Sequence, residues 1–156
     1  MQLIFRHFKR VIGTAAALVL LLGSFVNAGE KGAVFNESGV AIRGYDPVAY
    51  FTEQKAVAGD AAITHEWQGA IWQFASAAHR EQFVADPEKY APQYGGYCAY
   101  AASNNYIAPT DPHAWTVHNR KLYLNYSKHV RTRWKEDVPG NISRADDNWP
   151  DLMEKL

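Results

Sequence analysis

Apolar and polar positions alternate most cleanly in two places. Ile63-Thr64-His65-Glu66-Trp67 and Ile71-Trp72-Gln73-Phe74 flank the turn Gln68-Gly69-Ala70, a pattern that predicts a β-hairpin. Thr116-Val117-His118 and Lys121 to Tyr126 flank Asn119-Arg120 and predict a second one. Between and after them the spacing turns helical. Asp46-Pro47 is a helix start or turn, followed by the apolar Val48, Ala49, Tyr50 and Phe51. Ser76 caps a helix running through Val84, with Ala78, Phe83 and Val84 facing inward. Asp86-Pro87 opens a short helix that ends near Tyr94 and is closed by Gly95. Ser127 caps a helix from Lys128 to Glu136, which Pro139-Gly140 breaks. A last amphipathic helix, Ile142 to Leu156, is interrupted at Trp149-Pro150. These elements give an α+β fold, a small antiparallel sheet of two β-hairpins packed with several short helices.

The first 28 residues stand apart from that pattern. Arg6, Lys9 and Arg10 precede an apolar run from Val11 to Phe25, and Val26-Asn27-Ala28 follows with small or tolerated residues. That layout predicts a signal peptide cleaved before Gly29 and export, in a bacterium to the periplasm; the alternative is an N-terminal membrane anchor. Residues 29–156 then form a single domain, with Lys31 to Gly39 as a lead-in. Without Arg6, Lys9 and Arg10 the Lys and Arg count falls from 16 to 13 against 16 Asp and Glu, so the mature chain is mildly acidic. That composition carries no basic footprint for nucleic acid or an anionic membrane. No stable membrane span is expected after cleavage, and the partner is a metal ion or another exported protein.

The chemistry centres on one stretch, Asp86 to Ala102, DPEKYAPQYGGYCAYAA. It holds the single cysteine, Cys98, behind Gly95-Gly96 and among Tyr90, Tyr94, Tyr97 and Tyr100. Two glycines allow unusual backbone conformations or a close approach to a neighbour. In an exported protein one cysteine cannot close a disulfide within its own chain. It is therefore buried, metal-bound, paired with another molecule or chemically used. No phosphate-cradling glycine loop, dinucleotide fingerprint, HExxH or GxSxG is present, so an enzyme is the weaker expectation. A thiolate with imidazoles suits copper or zinc. The candidates are Cys98 with His79 and His65, then His113, His118 and His129; none has close ligand spacing, so the fold must assemble any site. His79 leads because it lies on the helix that follows the first hairpin. Trp67, Trp72, Trp115 and Trp134 read as core.

Trp72 to Tyr90, WQFASAAHREQFVADPEKY, resembles the centre of the YHS domain, roughly aromatic-Phe-Cys-Ser-x-x-Cys, then Phe, then Asn/Asp-Pro-x-x-Tyr. The chain further resembles the exported, selenoprotein-related subgroup of that family. GYDPVAYF stands at Gly44 to Phe51, YAPQYGGYCAYA at Tyr90 to Ala101, DPHAW at Asp111 to Trp115 and KLYLNY at Lys121 to Tyr126. The resemblance implies a YHS-like scaffold and, in metal-binding members, thiolate ligands. Here those cysteine positions hold Ala75, Ala78 and Ala49, so that soft-metal site does not carry over. The leading expectation is an exported metal-handling accessory protein, with copper as the metal, centred on Cys98. The alternatives are a thiol-redox or sensor protein using Cys98, and a non-catalytic module that meets a partner through a tyrosine-lined groove.

Overall fold

The computed structural model describes residues 32–156; the expected signal peptide, residues 1–28, lies outside them. The class is α+β. The first hairpin is β3 (Asp60–Trp67) and β4 (Ala70–Phe74), antiparallel, with Trp67 opposite Ala70 and His65 opposite Trp72. Its turn is two residues long: Gln68 and Gly69 both have positive φ, at 49° and 74°, the geometry that matches the twist of paired strands. The sheet then grows where no alternation was visible. Two-residue strands β1 (Asn36–Glu37) and β2 (Val40–Ala41) add to it in the order β1-β2-β4-β3, with β2 parallel to β4. The lead-in is thus built into the sheet.

The second hairpin is β5 (Asp111–His118) and β6 (Lys121–Asn125), turning at Asn119 and Arg120. It forms a sheet of its own instead of joining the first. The burial of β6 explains why. Leu122 and Leu124 face a core with Trp72, Phe74, Phe83, Val48 and Tyr50. Tyr123, between them, faces a second core with Tyr94, Trp134, Ala145 and Leu152. A strand buried on both faces works as a partition.

Short helices close both cores. Three of the starts predicted from a polar residue are made by that residue; at the fourth, the helix begins at Ala49 with Val48 as its cap residue. Ser76 accepts the His79 amide at the head of α2 (Ala77–Ala85), and Asp86 accepts the Lys89 amide at the head of α3 (Pro87–Tyr90). Ser127 accepts the Val130 amide at the head of α5 (Lys128–Trp134). Two further helices are α1 (Ala49–Thr52) and α4 (Ala99–Ser103). Only Phe83 of α2 is buried; Val84 is an exposed apolar side chain, and Ala78 is exposed too. The short helix α3 stops at Tyr90, and a separate 3-10 turn covers Tyr94–Gly96.

The C-terminal helix differs most from expectation. Helix α6 runs from Val138 to Met153, so Pro139 and Gly140 begin it and Pro150 lies inside it. Proline is welcome in a first turn, where its missing N–H has no helical acceptor. Asp137 caps the start through the Gly140 amide, at 2.9 Å. Further on, Trp149 packs on Tyr94 and Tyr97, with ring centroids 5.7 and 6.2 Å apart, and Leu152 is buried. That packing holds the helix across Pro150.

Gly95 ties the chain start to the rest. Its φ is +58°, and a Cβ there would run into the Ala33 carbonyl oxygen. The Gly95 carbonyl also accepts the Phe35 amide at 2.8 Å. Gly95→Ala is therefore expected to destabilise the fold by about 3 kcal/mol, combining a left-handed alanine with a backbone clash. Urea unfolding of the variant beside the parent measures it; a change below about 0.5 kcal/mol, the range of ordinary surface substitutions, would contradict this account of Gly95.

The buried tyrosines predict an alkaline limit. Burial raises the pKa of Tyr50, Tyr94 and Tyr97 above the usual 10, and burial with the nearby Asp146 pushes Tyr123 up to about 12. The unfolded chain ionises at its ordinary pKa while the native chain stays neutral. Stability is therefore complete below pH 10 and lost above it, by about 1.4 kcal/mol per pH unit for each tyrosine held neutral. Phenolate absorbance should rise cooperatively with loss of tertiary circular dichroism, rather than ahead of it.

Candidate functional site

Cys98 is 1% exposed and occupies the cap position before α4. Its sulfur accepts the backbone amides of Ala101 at 3.4 Å and Tyr126 at 3.3 Å, as a serine oxygen would at such a position. Its thiol hydrogen points to Asn125 Oδ1, 3.7 Å away, which also accepts the Tyr100 amide at 3.2 Å. Asn125 is fully buried, and its Nδ2 has no partner among the described residues. Burial pushes the Cys98 thiol up, against a smaller lowering by the amides of Ala101, Tyr126 and Tyr100. The sulfur is a weak hydrogen-bond acceptor enclosed by backbone. It is not an exposed thiolate.

His79 lies elsewhere, bound to a residue that the sequence presented only as a helix start. The Asp46 side chain is fully buried. Its Oδ1 accepts the amides of Val48 at 2.8 Å and Ala49 at 3.4 Å; its Oδ2 accepts the Ala75 amide at 2.8 Å and lies 2.6 Å from His79 Nδ1. A carboxylate only accepts, so Nδ1 carries the hydrogen and Nε2 is the nitrogen left over. Nε2 is 3.2 Å from Thr52 Oγ1 and 3.9 Å from Glu53 Oε1. Thr52 Oγ1 is also 3.2 Å from the Val48 carbonyl, so its one hydroxyl hydrogen has two acceptors. The His79 side chain is 13% exposed. The group orders Thr52, His79 and Asp46 as a hydroxyl, imidazole and carboxylate would stand in a hydrolase. However, Thr52 sits exposed at the end of α1, outside any enclosed pocket lining.

His65 sits on β3, its ring edge-on to Phe83 with centroids 6.3 Å apart. His113 Nε2 is 3.0 Å from the Tyr45 hydroxyl. His118 ends β5 opposite Lys121, and His129 is exposed on α5. Among the described residues no group of three or more His, Cys, Asp or Glu side chains is placed to hold a metal ion. Cys98, His79 and His65, named together as ligands from sequence, each have different neighbours. The bonds of Cys98 run to backbone and Asn125, and those of His79 to Asp46.

Two cavities complete the picture. The larger, about 470 Å³, is walled by Val34, Trp67, Trp72, Pro92, Trp149 and Met153. Trp72 is buried beneath it, Trp67 and Trp149 are half-buried, and Met153 is 46% exposed at its edge. The smaller, about 250 Å³, lies among Arg43, Pro109, Thr110, Asp111 and Tyr126. Sequence reading missed the larger cavity, because its walls come from β3, β4, the segment after α3, and α6. No signal joins Trp67 to Trp149 along the chain. The Asp46 network was missed for the same reason, although Asp46-Pro47 was visible as a cap.

No family model, curated protein or solved structure matches this chain.

Two substitutions separate the roles of these residues. Cys98→Ser keeps a cap acceptor and should change stability by less than about 1 kcal/mol. Cys98→Val leaves the Ala101 and Tyr126 amides without that acceptor and should cost about 2–3 kcal/mol. In the native protein the thiol should react with a maleimide only as fast as the chain unfolds. Asp46→Ala removes the acceptor for three amides and His79 and should destabilise by about 3–5 kcal/mol, measured by thermal and urea melts.

Proposed function

We propose that the chain is a small exported binding protein of the YHS type, and that its tryptophan-walled cavity takes an apolar side chain cluster from a partner protein. The observation that carries this reading is the cavity itself. It opens two half-buried indole rings, Trp67 and Trp149, and the thioether of Met153 to solvent above the buried Trp72, on a domain whose other large apolar groups are mostly buried. Wide aromatic and methionine surfaces are the usual anchors of protein recognition. Its volume lies within the range of ligand and side-chain pockets.

The YHS reading draws support from the places of its motif residues. Asp46, Ser76 and Asp86 act as caps, while Phe74, Phe83 and Tyr90 are buried. The expectation of a tyrosine-lined groove shifts to tryptophan, because Tyr90, Tyr94 and Tyr97 are used in the interior. Cys98 itself is buried, with backbone amides as its neighbours. A redox role would need an accessible thiol of lowered pKa, and a copper or zinc role at Cys98 would need an imidazole beside the sulfur. Neither condition accords with the surroundings of Cys98 described above.

The test is a set of short peptides, each presenting one or two large apolar side chains, titrated against intrinsic tryptophan fluorescence. Binding that weakens at least about tenfold in Met153→Ser with unchanged melting, and in Trp149→Ala measured well below that variant's own lowered melting temperature, is the expected result, since such anchors carry most of an interface's energy. A panel without a binder, or binding indifferent to both substitutions, would sink the reading. So would one-to-one copper binding that disappears in Cys98→Ser.

A further inference from the structure

The charge of the chain is balanced overall but not along its length. From Pro112 to Lys135 there is no Asp or Glu, yet Arg120, Lys121, Lys128, Arg131, Arg133 and Lys135 all fall there. From Glu136 to Glu154 the order reverses: Glu136, Asp137, Asp146, Asp147, Asp151 and Glu154 against Arg144 alone. The cationic stretch is one structural unit, namely most of β5, its turn with Arg120, all of β6, and α5 with Lys135 directly after it; Arg131 Nε of α5 bonds Thr116 of β5 at 2.9 Å. Arg131 is half-buried beside the Trp115 ring, and the other five cations are exposed. Among the described residues the ion pairs join Arg43 to Glu37, His79 to Asp46 and Glu53, and Arg144 to Asp137. None involves these six.

We propose that this hairpin-and-helix unit is a docking face for an anionic lipid bilayer. Each exposed Lys or Arg near such a surface adds attraction, and five on one unit with no acidic residue among them add it together. The acidic stretch that follows is repelled, so the domain would approach in one orientation. Tyr126, 57% exposed between β6 and α5, has an amphipathic ring suited to the headgroup level. A single-stranded nucleic acid fits less well. Such partners need successive aromatic faces along a charged groove. Here Trp115 is covered by Arg131, Tyr123 and Trp134 are buried, and neither cavity is lined by any of the six cations. Whole-chain composition concealed this face, because the acidic residues elsewhere cancel it in the sum.

The test uses residues 29–156, the chain expected after cleavage, which holds every element of the fold, so that the apolar run Val11 to Phe25 does not itself bind the vesicles. Binding to phosphatidylcholine vesicles is compared with binding to vesicles that also contain about a quarter phosphatidylglycerol, at low and physiological salt. The parent should bind the anionic vesicles more tightly. Neutralising Arg120, Lys121, Lys128 and Arg133 to Gln together should weaken that binding at least about tenfold. All four are exposed and make no ion pair, and unchanged melting confirms folding. Asp147→Asn with Asp151→Asn should not weaken it. Equal vesicle binding by parent and neutralised protein overturns the proposal, as does indifference to lipid charge. Tighter binding to an oligonucleotide than to the vesicles also overturns it. A salt-sensitive dimer that the neutralised variant cannot form would reassign the face to a second copy of the chain.

Discussion

The buried carboxylate of Asp46 is the constraint on which the site-bearing half of the molecule depends. An isolated charge in an apolar interior is very unfavourable, and it persists only when its oxygens are satisfied. Asp46 meets that condition with three backbone amides and one imidazole, drawn from the start of α1, the end of β4 and α2. Those elements cannot separate without stranding the charge. The network therefore fixes where α2 sits on the first sheet, and so where Phe83 enters the core beside Trp72 and Phe74. It also decides that His79 is a positioned residue with one nitrogen committed.

Cys98 shows the same logic on a smaller scale. A group with the chemistry to be reactive is placed where two amides and a buried asparagine use it as a cap. Desolvation outweighs those amides in setting its protonation, so the neutral thiol is the favoured form. The unpartnered Nδ2 of Asn125 is the one part of this arrangement for which the structure offers no counterpart. Around it, Gly95 admits the incoming chain at Ala33, and the small side chains Ala99 and Ala102 let α4 lie close to α6. Asn148 Nδ2 donates to the Ala102 carbonyl there at 2.9 Å.

The two proposed binding surfaces are built differently, the cavity from distant segments and the cationic unit from one continuous stretch. The indole-walled cavity gathers residues from Val34 to Met153, and the cationic unit gathers a hairpin and its following helix. They are different in kind, one apolar and one charged. A binding protein that uses both can hold a partner by one and be oriented by the other.

Local features were legible in the sequence because they are decided locally. Alternation set the two hairpins, and Ser76, Asp86 and Ser127 set three helix starts, since each cap reaches only three residues ahead. The glycine pair announced a close backbone approach, and the single cysteine announced a special position. Tertiary structure decided what those features meet. Two-residue strands carry too few residues to show a period, so β1 and β2 were invisible. Pro139 and Pro150 looked like breaks because propensity ignores a cap at Asp137 and the packing of Trp149. Asp46 meets His79 across 33 positions, and Trp67 faces the same cavity as Trp149 across 82, separations over which no sequence period can act. Whether Cys98 is a ligand, a nucleophile or a cap depends on the solvent and dipoles around one sulfur atom, and only the folded chain supplies those.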